Sequence, residues 1–324
     1  MLITLVALAL GWFFTGPEKQ RRLVAELRER GGDVLFAGEK PDDENQAWLP
    51  LAYTHRVQLV GLFGAQDADA SLAIACQLSS FPELDIQFSN LTDEGLLRLA
   101  VHPELRVLHL GGNEISDAGL RVVESLPNLR TLSLGRTKVT DASMPLIVGL
   151  AELESLDLSE TRISEDGLAS LGKLKELRRL DLRGLSLTDR GVARLVDCQG
   201  LTELSLQVTR VSEEGIARLA GLQELTSLSL ENLLHVGGLR SLAKLRKLSF
   251  LSLARARLTS RQIRVLADFP ALEEVSLMGS DVGSSGIHFL TRLNKRLQFD
   301  TFREAYGESP DDRIELPAEA GPAP

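Results

Sequence analysis

The segments LRVLHLGGNEISDAGLRVVESLPN (105–128), LRTLSLGRTKVTDASMPLIVGLAE (129–152) and LESLDLSETRISEDGLASLGKLKE (153–176) are three settings of one 24-residue pattern. Each opens L-x-x-L-x-L and places another aliphatic residue five positions further on, at Ile115, Val139 and Ile163. Apolar residues spaced three and then two apart describe a short strand running into a turn. The same frame begins at Val57, Phe81, Leu105, Leu129, Leu153, Leu177, Leu201, Leu225, Leu248 and Leu272, with every interval 24 residues except one of 23. After the turn comes Ser/Thr-Asp/Glu-x-Gly-Leu/Ile, at Thr92–Leu96, Ser116–Leu120, Ser164–Leu168 and Ser212–Ile216. The hydroxyl suits a helix N-cap, and an acid in the first turn suits the positive end of the helix dipole. A strand and a helix in so few residues cannot bury their own apolar faces. The units must therefore stack, with parallel strands about 4.8 Å apart sharing one leucine interior.

This pattern resembles the leucine-rich-repeat family, in the ribonuclease-inhibitor-like subtype with a Ser/Thr-Asp-x-Gly-Leu helix start, over residues 57–299. The resemblance implies an α/β fold: a right-handed horseshoe with a concave parallel sheet, convex helices and a protein partner on the concave face. An apolar N-terminus, a basic helix and a repeat array together also resemble membrane-anchored bacterial leucine-rich-repeat proteins. One departure stands out. Where the family has Asn the chain has Asn113 once, but Thr137, Thr161, Thr209, Leu185, Leu233 and Ser280 elsewhere. A ladder of buried Asn side chains is mostly absent, so Thr must serve or the turn must differ. The 23-residue unit also lacks the capping signal around Glu231–Gly238, which reads as a one-residue deletion with a distorted turn.

Outside the array the chain divides into an apolar segment 1–16, a basic helix, linker and N-terminal cap 17–56, and an acidic Pro/Ala-rich tail 300–324. Met1–Gly16 carries no charged side chain and is followed at once by Pro17-Glu18-Lys19-Gln20-Arg21-Arg22. Positive charge stays cytoplasmic, so this segment is expected to anchor the chain with its repeats inside the cell; secreted and soluble cytoplasmic chains are the alternatives. Glu18–Arg30 reads as an amphipathic helix with Leu23, Val24 and Leu27 on one stripe, ended by Gly31-Gly32 and leading to a strand at Val34–Phe36. The tail has too little apolar content to fold.

The 324 residues include 36 basic and 45 acidic side chains, for a net charge of -9, which argues against nucleic acid as partner. Cys76 and Cys198, five repeats apart, are expected to be core thiols beyond disulfide reach. The five histidines show no metal-ligand spacing, so neither a metal nor another cofactor is expected. Gly167–Leu174, GLASLGKL, is a near miss to a phosphate loop, but its leucines belong to the repeat core.

Inward-facing strand positions alternate with the buried leucines. The fifth-position file includes Asp85, His109 and Ser133, the residue types of a hydrolase triad on neighbouring strands. Parallel side chains without a strained nucleophile turn or an oxyanion hole do not make a catalytic site, and a polar ladder is the plainer reading. Arg136, Lys138, Arg162, Arg183, Arg210, Arg255 and Arg257 fall at strand exits and suggest a basic rim, which Arg178 and Arg179 extend toward the centre. Such charge is usually a solvated edge; the sharper reading is a docking strip for an acidic protein. Protein-binding residues are accordingly expected at His109, Arg136, Asp157, Arg179, Asp181, Arg183, Glu203, Gln207, Arg210, Phe250 and Arg255. Phe63, Phe88 and Met278 are further apolar anchors. The expected function is a monomeric, non-enzymatic protein-binding scaffold. The alternatives are the hydrolase and an adaptor in regulated proteolysis, although no F-box-like helical module precedes the array.

Overall fold

A computed structural model describes residues 18–36, 57–207, 210–232, 237–256, 258–280, 289 and 298–300. The expected anchor 1–16, the tail 301–324, Arg257 and most of the irregular turn at 233–236 lie outside the described residues.

Twelve strands form one sheet in sequence order. They are β1 Asp33–Phe36, β2 Val57–Gly61, β3 Glu83–Asp85, β4 Val107–His109, β5 Thr131–Ser133, β6 Ser155–Asp157, β7 Arg179–Leu182, β8 Glu203–Gln207, β9 Ser227–Glu231, β10 Phe250–Ser252, β11 Glu274–Ser276 and β12 Gln298–Asp300. All pair in parallel except β1, which runs antiparallel to β2 and closes the sheet's first edge. The register repeats without a slip: Leu84, Leu108, Leu132, Leu156, Leu180, Leu204, Leu228, Leu251 and Val275 stand opposite one another. That file is buried, and with the leucines two residues on it makes the continuous core. The chain is an α/β leucine-rich-repeat solenoid. Strands stand about 4.8 Å apart while helices need about 8–10 Å, so the sheet takes the inner side of the curve.

Residues 18–29 form α1, with Leu23, Val24 and Leu27 buried, and Gly31 takes the left-handed conformation (φ 83°) that ends it. On the outer side lie α2 Ala68–Ala75, α3 Asp93–Leu96, α4 Met144–Ile147, α5 Asp189–Leu195, α6 Glu213–Arg218, α7 Leu239–Leu242 and α8 Ser260–Ile263. The expectation of an α-helix in every unit is corrected in two of them. Gly119–Ser125 and Gly167–Lys173 are 3-10 helices. Seven residues span about 14 Å as 3-10 but only about 10 Å as α, and these units must return the chain to the next strand with few residues.

The Ser/Thr-Asp-x-Gly signal does more than cap. Thr92 Oγ1 accepts from Gly95 N–H at 3.1 Å, and Ser212 Oγ from Gly215 N–H at 3.3 Å, as a cap should. The acid that follows each cap reaches forward into the next unit. Asp93 accepts from Ser116 N–H at 2.8 Å and from its hydroxyl at 2.5 Å. Asp117 accepts likewise from Thr140, Asp141 from Ser164 and Asp189 from Ser212. The result is a chain of carboxylate-to-cap bonds along the solenoid edge. The motif's glycine is explained by the same contact: a Cβ at Gly95, Gly119, Gly167 or Gly215 would lie inside the preceding unit's Asp carboxylate. In the one unit with Ser143 in that place, the Ser143 hydroxyl bonds Asp117 directly.

The Asn question resolves by reach. Asn113 donates to Ile86 O at 2.7 Å and Leu110 O at 2.9 Å, and accepts from Ser89 and Leu91 N–H, both at 3.0 Å. Thr137 and Thr161 each satisfy only a carbonyl three residues back, at 2.7 Å. Ser89 and Ser280 do bridge to the preceding unit, through Leu62 O and Leu253 O.

Candidate functional site

The inner face of the sheet takes its side chains from three positions per strand. The central file places Asp85, His109, Ser133, Asp157 and Asp181 on adjacent strands, as the sequence spacing requires. Arg179 and Glu203 stand opposite each other in the file beside it, which continues to Phe250. Gln207 pairs with Glu231 in the third. Arg210 forms an isolated bridge with Thr188 beyond the strand ends.

Asp85, His109 and Ser133 are neighbours, but they are not wired as a triad. The Ser133 hydroxyl donates to Asp157 Oδ2 at 2.8 Å, on the strand away from His109, and Ser133 is only 8% exposed. Asp85 Oδ1 accepts from Gln87 N–H and its side-chain amide, both at 3.2 Å. A nucleophile must be accessible and bonded to its base, and this serine is neither.

The basic rim also differs from expectation. Lys138 pairs with Glu114, and Arg136 with Glu160 at 2.8 Å, each across one repeat. Arg183 grips Asp181 through Nε and Nη2, at 2.7 Å for the latter, and lies 3.7 Å from Glu231. The Asp181 bond raises the Arg183 guanidinium pKa, with burial opposing, and Glu160 raises that of Arg136. Arg178 belongs to the strand-entry edge, where it reaches Gly200 O at 3.2 Å and Glu176 at 3.5 Å, so it does not extend the rim toward the centre. Among the described residues, Arg162, Arg210 and Arg255 make no ion pair. Among its described bases the strip therefore holds three neighbour pairs and three bases without an ion pair.

Turn geometry contributes too. The residue after the inward-facing files takes the left-handed conformation in unit after unit: glycine at 64, 112, 184 and 279, but Phe88 (φ 51°), Arg136 (59°), Glu160 (53°), Asn232 (57°) and Arg255 (57°) elsewhere. Phe88 lies over Gly112, where a Cβ would overlap its ring, and meets Phe63 edge-on with centroids 5.6 Å apart. Phe63 is 63% and Phe88 48% exposed, and Met278 at the other end is 53% exposed. Phe250 is half-buried, less bare than expected.

Sequence spacing had no way to single out His102. It is buried against Phe81 with ring centroids 4.4 Å apart, 2.9 Å from Glu104 and 3.3 Å from Cys76 O, and it ties two units together. Its only signal is an aromatic at the start of the preceding strand frame. Cys198 is buried and Cys76 half-buried; burial pushes both thiols up to about 11, with Arg98 opposing at Cys76. They stay protonated at neutral pH. Among the described residues no group of His, Cys, Asp and Glu could hold a metal, and no helix is long and apolar enough to cross a membrane. Leu168, Leu171 and Leu174 of the phosphate-loop near miss are all core.

A family model described as leucine rich repeat matches residues 103–163 and 127–187, and a second leucine rich repeat model matches 79–100. No curated protein matches the chain significantly. Among solved structures, an internalin from Listeria monocytogenes is similar at 16% identity and a TM-score of 0.50, over 80% of this chain and 88% of that one. An internalin C2 from the same species is 26% identical over 55% of this chain and 83% of its own, at a TM-score of 0.39. The first likeness bears on fold alone.

Proposed function

We propose that the chain is a non-enzymatic scaffold that receives a protein partner on the inner face of its sheet. The observation that carries this reading is the face itself. A continuous register of strands presents partly exposed polar side chains in files, with bare aromatic and Met side chains at its two ends. Apolar groups left open beside polar ones are the usual composition of an interface. A rigid curved sheet also presents them without an ordering cost.

A photo-reactive residue at Ser205 or Ser229 should form adducts with one partner in the native host, whereas the same residue at Glu124 on the outer side should not. Equal adducts from Glu124 would sink the reading. The hydrolase alternative is met by Ser133→Ala: a measured hydrolysis lost in that variant would establish catalysis. The expected acidic partner loses its basis where Arg136, Lys138 and Arg183 are already paired with acids. Residues 1–16 are proposed to tether the repeats to a membrane. The full chain should then sediment with membranes and a chain beginning at Glu18 should not.

A further inference from the structure

The charge of the inner face has a sign, and it is opposite to the one its arginines suggest. On the three inward files of β3 to β11 stand seven carboxylates, from Glu83, Asp85, Asp157, Asp181, Glu203, Glu231 and Glu274, against the two guanidinium groups of Arg179 and Arg183. Arg183 is consumed by Asp181 and Glu231. The bonds to Asp85 and Asp157 come from neutral donors: Gln87 for the first, and the Ser133 hydroxyl and Ser159 N–H for the second. Neither makes an ion pair among the described residues, although Asp157 shares the field of Arg183 with Asp181 and Glu231. Asp85 and Asp157 stand three strands apart, about 14 Å at the strand spacing.

Between them no carboxylate, lysine or arginine stands on the three inward files. His109 and Ser133 fill the central file, and the file beside it has Gly111 and Gly135. Gly135 has no room for a side chain, since a Cβ would lie 2.7 Å from Ser159 Oγ and 2.8 Å from Asp157 Oδ2. Toward β2 the face ends at the exposed Phe63 and Phe88 rings, which offer apolar surface and π-faces.

We infer that this face takes an extended cationic segment of a protein partner. An arginine or lysine side chain would seat between Asp85 and Asp157, across His109 and Ser133, with apolar or cationic neighbours against Phe63 and Phe88. Charge complementarity selects this occupant: an acidic segment would meet an excess of carboxylates, and a nucleic acid or an anionic lipid surface would be repelled for the same reason. The inference rests on the scaffold reading above and adds the partner's charge.

The test uses the full chain and short fluorescent peptides of equal length, alternating Arg–Ser, Glu–Ser or Ala–Ser, read by anisotropy. The Arg–Ser peptide should bind, weakening as salt rises, and the Glu–Ser peptide should not. Asp85→Asn with Asp157→Asn should weaken binding about tenfold, with a thermal midpoint confirming the fold, because Asn keeps an acceptor for Gln87 and Ser133. Glu83→Gln with Glu203→Gln provides a second pair, since neither side chain makes a bond among the described residues that its loss could disturb. Glu94→Gln with Glu124→Gln on the outer side should change affinity less than about twofold. Equal binding of the Glu–Ser peptide, or indifference to both inner pairs, overturns the inference. If partner adducts from Ser205 persist in that case, the scaffold reading stands without the charge assignment. If no inner adduct forms, both fall.

Discussion

At Gly119 the constraint is a neighbour's carboxylate rather than a backbone angle. Gly119→Ala should cost roughly 1–3 kcal/mol in urea unfolding, since the added methyl must displace Asp93. Combining it with Asp93→Ala should cost less than the sum of the two single changes, because the obstacle is gone. The opposite sign is expected at Arg255, held at φ 57° where other units have glycine. Arg255→Gly should raise stability by up to about 1 kcal/mol, once the left-handed penalty is set against glycine's greater freedom in the unfolded chain. A gain in stability accompanied by a loss of partner binding would show that the arginine is retained for the surface it presents. In the core, Leu156→Ala should cost about 2–5 kcal/mol, because Leu132 and Leu180 stand opposite it and leave little room for collapse.

The cap ladder is a property of elements, and acid should loosen it. Burial alone would raise the Asp117 pKa, but bonds from the Ser143 hydroxyl and from Thr140 N–H and hydroxyl bring it below the ordinary aspartate value. The Ser212 hydroxyl and N–H hold Asp189 down in the same way. A carboxyl depressed in the folded state adds stability above its unfolded pKa, about 3.9, and loses it as pH falls through the folded value. The thermal midpoint should therefore be level from about pH 7 to 5 and drop below about pH 4. Asp189→Asn should flatten part of that drop; an unchanged acid limb would mean that the ladder contributes nothing. The same bonds show why the capping signal was only half legible. A hydroxyl followed by an acid announces a helix start, yet the acid's second partner lies 23 residues further along the chain.

For the molecule as a whole, the two ends of the stack decide whether it stays in solution as one body. β1 covers the N–H and C=O groups of β2, and α1 buries Leu23, Val24 and Leu27 against the first unit. A chain beginning at Val57 would expose that edge and the apolar end of the stack, and should elute from a sizing column as oligomers. A chain beginning at Glu18 keeps both elements and should elute as a single species. The repeat, its strands and its inward leucines were readable from the sequence, because each follows from apolar spacing within about two dozen residues, repeated until chance is excluded. The pairing of Arg136 with Glu160, the turning of Ser133 toward Asp157, and the acidic balance of the inner face were decided only by the tertiary structure. Charges one repeat apart in sequence come within 3 Å of each other only once the units have stacked, and whether a base faces solvent or an acid depends on that contact.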